Sequence, residues 1–141
     1  MSITRTAVLL VLAGIFGAMA VAFGAWAAHG LEAAFGARTV SLVETAVRYQ
    51  IWHALAMIGA LALYRTVRQN PGRSGVVWLA RAAQLFALGV SLFCGALYGL
   101  AFGGPHWMGM VAPVGGLVLI AGWLALAWGA ARAFSGPPSE G

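Results

Sequence analysis

Histidine is the side chain whose unperturbed chemistry best suits proton movement near neutrality, and it is also a common metal ligand. This chain has three: His29, His53 and His106. Polar residues gather ahead of His53, with Glu44, Arg48, Tyr49 and Gln50 within nine positions. Glu44, His53 and Tyr98 together supply a carboxylate, an imidazole and a phenol, the parts of a proton relay. Met57, Met108 and Met110 add thioethers that, with imidazole, suit Cu(I). Two histidines on different helices are also the ligand set of a b-type haem. No compact ligand spacing supports copper, and His29 and His53 fall at unequal depths. No metal and no cofactor is therefore expected. The stronger reading is structural: His53 and Gln50 hydrogen-bond across helices and satisfy their own polar atoms.

Enzyme signatures are missing. There is no aspartate, and Glu32, Glu44 and Glu140 are the only carboxylate side chains. No Gly-x-Ser-x-Gly, no His-Glu-x-x-His and no phosphate-cradling glycine loop occurs. The expectation is a protein that is not an enzyme.

The elements that must carry these residues are set by composition. Of 141 residues, 62% are hydrophobic and 8% charged, against roughly 25% charged in a soluble domain. Such a chain cannot cover a water-exposed surface. Lipid is the solvent that fits. The net charge of +5 comes from eight arginines against three glutamates, the arginines scattered between apolar runs, which is the positive-inside pattern and not a nucleic-acid stripe. Cys94 is the single cysteine, so no intrachain disulfide can form, and its apolar surroundings suggest a small buried hydrophobe.

Four spans are predicted, at about 6–28, 46–64, 77–102 and 108–131, each long enough for ~30 Å of hydrocarbon. Residues 1–134 form one domain and 135–141 a flexible tail. The first span lies between Arg5 and His29 without a charge, and it exceeds the ~7–15 residues of a signal-peptide core. The stretch from His29 to Gln50 is mixed, which predicts an amphipathic interfacial segment running into the second span. That span is the weakest of the four, with Tyr49, Trp52 and Tyr64 as aromatic anchors at its ends. Arg65, Arg68 and Arg73 flank a turn at Asn70-Pro71-Gly72, and Gly103-Gly104-Pro105 separates the last two spans. The fold class is thus all-α, an integral membrane bundle of four transmembrane helices. Arginines favour the termini and the second loop over the first and third loops, which predicts both termini in the cytoplasm.

Small residues suggest how the helices meet. In the third span Ala83, Ala87, Ser91, Gly95, Gly99 and Gly103 recur every fourth position, the spacing of small-xxx-small packing. In the fourth, Gly115, Gly122 and Gly129 recur every seventh, and the first has Gly17 and Gly24 likewise. Packing within the bundle is the leading reading, and a homo-oligomer contact the second. With this topology His29, Glu44, Arg48, Tyr49, Gln50, His53 and Tyr98 are expected toward the outer side as a polar cluster.

Four segments also carry a family resemblance. Gly24-Ala25-Trp26-Ala27-Ala28-His29-Gly30-Leu31 resembles the first signature of the DUF423 family of small membrane proteins, with Trp26-Ala27 where that signature has Phe-Gly. Residues 44–55, 92–98 and 112–116 are similar to its second, third and fourth motifs, in the same order. The resemblance implies a bacterial inner-membrane protein, related to a small eukaryotic transmembrane family, and names no reaction. The expected function is that of an accessory or interaction subunit binding lipid, partner membrane proteins or a second copy. The alternative is a carrier or sensor of a small solute, proton or metal at the polar cluster.

Overall fold

The computed structural model describes residues 1–70 and 74–135, and all regular structure among them is α-helical. Helix α1 spans Ile3–His29, α2 Leu31–Phe35, α3 Ala37–Arg68, α4 Val76–Ala101 and α5 Met108–Phe134. All but α2 are long and apolar enough to cross a membrane. The expected Pro71-Gly72 turn, Arg73 and the tail from 136 onward lie outside the described residues.

The helix ends follow local chemistry. Ser2 caps α1 by accepting a hydrogen bond from the Arg5 amide at 3.3 Å. The expected interfacial segment reduces to the five residues of α2, because Gly36 at φ 82° breaks the chain there. From Ala37 the backbone is helical without interruption to Arg68. Because α3 starts nine residues before the predicted second span, Tyr49 and Trp52 lie near its middle and are not end anchors. Helix α4 closes on Gly103 at φ 83°, with the Gly104 amide donating to the Gly99 carbonyl at 2.7 Å. Pro113 sits in the second turn of α5, where only one ladder bond is lost.

The packing rule shared by the long helices is a seven-residue repeat. On α3 the buried residues Thr39, Val43, Ala46, Gln50, His53, Met57, Ala60, Tyr64 and Val67 follow alternating steps of four and three, and buried Ala54 and Leu61 widen that face beside it. Buried Thr6, Leu9, Ala13, Ala20 and Ala27 on α1 follow the same alternation once half-buried Phe16 and Phe23 are included. A repeat averaging 3.5 residues keeps its seam on one face of slightly supercoiled helices.

Neighbours in sequence are neighbours in space. Helix α4 packs on α3 with one flank and on α5 with another, while α1 packs on α3 and α1 and α5 do not meet. The Thr39 hydroxyl donates to the Ala101 carbonyl at 3.2 Å, and the Cys94 thiol to the Ala46 carbonyl at 3.4 Å. These two bonds, seven residues apart on each helix of the pair, fix the antiparallel register of α3 and α4. With Met1 beside Tyr64 and Arg68, and Arg132 beside Ser74, the starts of α1 and α4 and the ends of α3 and α5 share one end of the bundle, the terminal end. There Tyr64 and Arg68 donate to the Met1 carbonyl at 3.2 and 3.3 Å. Arg68, Arg81 and Arg132 each lie over an aromatic ring, those of Tyr64, Trp78 and Trp128, an arrangement suited to a membrane boundary.

Candidate functional site

The inward seam of α3 carries two polar side chains in the middle of the bundle. Gln50, 1% exposed, donates from Nε2 to the Phe16 carbonyl of α1 at 2.7 Å. His53 faces the other way, toward α5. Its Nδ1 lies 2.6 Å from the Tyr49 carbonyl, and its Nε2 lies 3.1 Å from Trp123 Nε1. An indole N–H can only donate, so His53 Nε2 is the acceptor and carries no proton. The ring proton therefore sits on Nδ1 and goes to the Tyr49 carbonyl. Both nitrogens of the neutral imidazole are occupied. The rings of Tyr49, Phe86 and Trp123 surround it at 5.8, 5.7 and 6.0 Å between centroids.

The remaining polar groups do not converge on His53. Cys94 is buried against Ala46 of α3. Tyr98 stacks on Phe23 at 4.5 Å, nearer the end opposite the terminal end (the loop end), and its buried hydroxyl has no hydrogen-bond partner among the described residues. His29 and His106 are exposed at the loop end. Among the described residues no group of three or more His, Cys, Asp or Glu side chains could hold a metal ion.

Glu44 and Arg48 are exposed, and the helix repeat shows why. Arg48 is two residues from buried Ala46 and two from buried Gln50, about 200° round the helix from each. It therefore points directly away from the bundle. The expected cluster thus divides: Gln50 and His53 face inward to different neighbours, Glu44 and Arg48 outward, Tyr49 sits half-exposed against Phe93 at 4.6 Å, and His29 and Tyr98 lie elsewhere. Sequence topology supplies depth along the axis but no direction around it. Trp123, the partner of His53, was not singled out from the sequence. Its signal is an indole beside the Gly122 contact position, well inside an apolar span.

The small residues divide in the same manner. On α5, Gly115, Gly122 and Gly129 are buried against Phe93, Phe86 and Leu79 of α4, again seven residues apart and running in opposite directions. A Cβ at Gly115 would stand 2.5 Å from the Phe93 amide nitrogen, and one at Gly122 would meet the Phe86 ring at 2.8 Å. In return α4 offers Gly89 to Leu119, where a Cβ would be 2.5 Å from the leucine Cδ2. Gly99 lies close against Met108. The residues of the expected groove along Ala83, Ala87, Ser91, Gly95, Gly99 and Gly103 do not share one environment: Ala83 and Ala87 are buried, whereas Ser91 and Gly95 are exposed, and a Cβ on Gly95 would meet nothing within 4 Å among the described residues. A step of four residues advances about 40° beyond a full turn, so five such steps wind about 200° around the helix. A step of seven drifts only about 20°.

A shallow recess of about 350 Å³ opens at the terminal end, lined by Ser74 to Trp78 and Arg132, remote in depth from His53.

Comparison with known proteins agrees with a membrane protein. The family model described as a protein of unknown function, DUF423, matches residues 23–116. The UPF0382 inner membrane protein YgdD of Escherichia coli strain K12 is 36% identical over 125 residues, covering 88% of this chain and 89% of that protein. A UPF0382 membrane protein of Haemophilus influenzae is 33% identical over 89% of this chain and 95% of its own length. The UPF0382 membrane protein SH2409 of Staphylococcus haemolyticus is 39% identical over 83% and 89%. No solved structure matches.

Proposed function

The chain belongs to the DUF423 family of membrane proteins, and from that premise we propose that it is a non-enzymatic accessory or interaction subunit of the inner membrane. The observation that carries this reading is a contrast in how polar groups are satisfied. Inside the bundle, Gln50, His53, Cys94 and Thr39 are each hydrogen-bonded between helices, and His53 keeps no ring nitrogen for a ligand. On the outside, Glu44 and Arg48 are turned toward lipid from a spanning helix. Ionisable side chains in a span ordinarily face a partner or a water-filled cavity. Neither Glu44 nor Arg48 meets a charged side chain of another helix among the described residues, and the partner proposed here comes from outside the chain. The arginine-bearing terminal end, with Arg5, Arg65, Arg68 and Arg132, belongs in the cytoplasm by the positive-inside rule.

Gentle purification from native membranes tests the reading. A stoichiometric partner, whether another protein or a second copy, is expected. A monodisperse single chain that binds or transports a solute would overturn it. The carrier or sensor alternative has one observation in its favour, the buried Tyr98 hydroxyl without a partner. It requires that His53→Ala abolish uptake of a solute while the bundle stays assembled.

A further inference from the structure

Helix α3 carries a second seven-residue seam on its outer flank. Glu44, Arg48, Ile51, Leu55, Ile58 and Ala62 follow one another at steps of four and three, the same alternation that governs its buried face. None of the six is buried, and Leu55 and Ile58 are 54% and 44% exposed. The seam is aliphatic over its lower part and carries one acid and one base, a turn apart, over its upper part.

The depth of these charges makes the seam unusual. Thr39 is level with Ala101, the last residue of α4. Arg48 lies nine residues further along α3, about 13 Å down the axis, against a hydrocarbon half-thickness of ~15 Å. An arginine there can snorkel toward the interface, but α3 bears Glu44 one turn above it on the same flank. A single chain thus offers lipid an acid–base pair and a ready apolar seam.

We propose that the outer seam of α3 packs against α3 of a second copy of this chain, in a two-fold dimer whose axis runs along the membrane normal. The inference rests on the interaction-subunit reading above and names its partner. Charge complementarity selects the occupant. An axis along the normal keeps the two α3 helices parallel, and in a parallel seam a residue packs into a hole that includes the seam residue of the preceding layer opposite. Arg48 of each copy then lies against Glu44 of the other. A two-fold interface is self-complementary, so one acid and one base per chain close two reciprocal pairs and leave neither charge facing lipid. Ile51, Leu55 and Ile58 continue the contact toward the terminal end.

Site-directed cross-linking of the full chain in native membranes tests this. With Cys94→Ala as background, Leu55→Cys is expected to give a cross-linked dimer with a bifunctional thiol reagent, and Leu117→Cys on the exposed face of α5 is not. Glu44→Arg or Arg48→Glu alone should reduce the Leu55→Cys dimer at least tenfold, and the double exchange should restore it, since it re-creates both pairs. Because Leu55 is exposed, the cysteine variant tests the seam without disturbing the fold. Cross-linking of Leu55→Cys to a different protein with no self-dimer would overturn the dimer and leave the interaction-subunit reading standing. A solitary chain with no adduct at Leu55 and no co-purifying protein would overturn both. Equal dimer yield from the three charge variants and from the chain with both native charges would overturn the reciprocal pairing that selects the second copy.

Discussion

The contact of α4 with α5 and the contacts made by the inward face of α3 are built by opposite means. Between α4 and α5, Phe93, Phe86 and Leu79 lie against Gly115, Gly122 and Gly129, so shape alone sets the approach. At α3, Gln50 bonds to α1, Ala46 accepts from Cys94 of α4, and His53 accepts from Trp123 of α5. Lipid is as apolar as a leucine side chain, so helices gain little from hiding hydrocarbon in a membrane. They are held by dispersion at close approach and by interhelical hydrogen bonds. This molecule uses the first device between α4 and α5 and the second around α3. The shape-built contact should be intolerant of added volume and the bonded one comparatively forgiving.

The largest expected effect is therefore at Gly115. The backbone of Phe93 cannot retreat from an added side chain, so Gly115→Leu should prevent α5 from docking and yield no folded monodisperse protein in detergent. Gly122→Ala meets a ring that can turn, and a loss of about 1–3 kcal/mol is expected by reversible unfolding in mixed micelles. If Gly115→Leu folded as well as the parent chain, the contrast between the two sides would collapse.

Removing a hydrogen bond should cost less. Gln50→Leu and His53→Phe each keep volume near the original and delete one interhelical bond, for which about 0.6 kcal/mol, up to ~1.7, is expected. The same unfolding measurement applies, and a loss beyond that of Gly122→Ala would reverse the ranking. Least of all should follow from Ser91→Ala and Gly95→Ala, which sit on exposed positions of α4. Their unfolding free energies should stay within about 0.5 kcal/mol of the parent.

Much of this was legible in the sequence. Charge-free runs and the Gly103-Gly104 break marked the spanning helices, and the family resemblance carried by residues 24–31 and 44–55 agrees with the match over residues 23–116. What was not legible is direction around each helix. Small residues every fourth position along α4 suggested one groove, yet that spacing winds about 200° over five steps. Polar residues of like depth suggested one cluster, yet Arg48 and Gln50, two residues apart, face opposite ways. The buried face of α3 emerges only when Gln50 and His53 are counted as seam positions beside Val43 and Met57, which a reading by hydrophobicity discourages. The partner of His53 comes from α5, seventy residues away, and only packing brings it there.

The central claim is that the interior polar residues serve the bundle and that recognition belongs to its outer face. Solid-state ¹⁵N spectroscopy of ring-labelled His53 in lipid bilayers tests it most directly. One neutral ring is expected, with a protonated Nδ1 and an unprotonated, hydrogen-bond-accepting Nε2 whose coupling to the Trp123 indole proton is lost in Trp123→Phe. A doubly protonated ring, or an Nε2 that carries the proton and is indifferent to Trp123, would show the imidazole free for other chemistry and contradict the account.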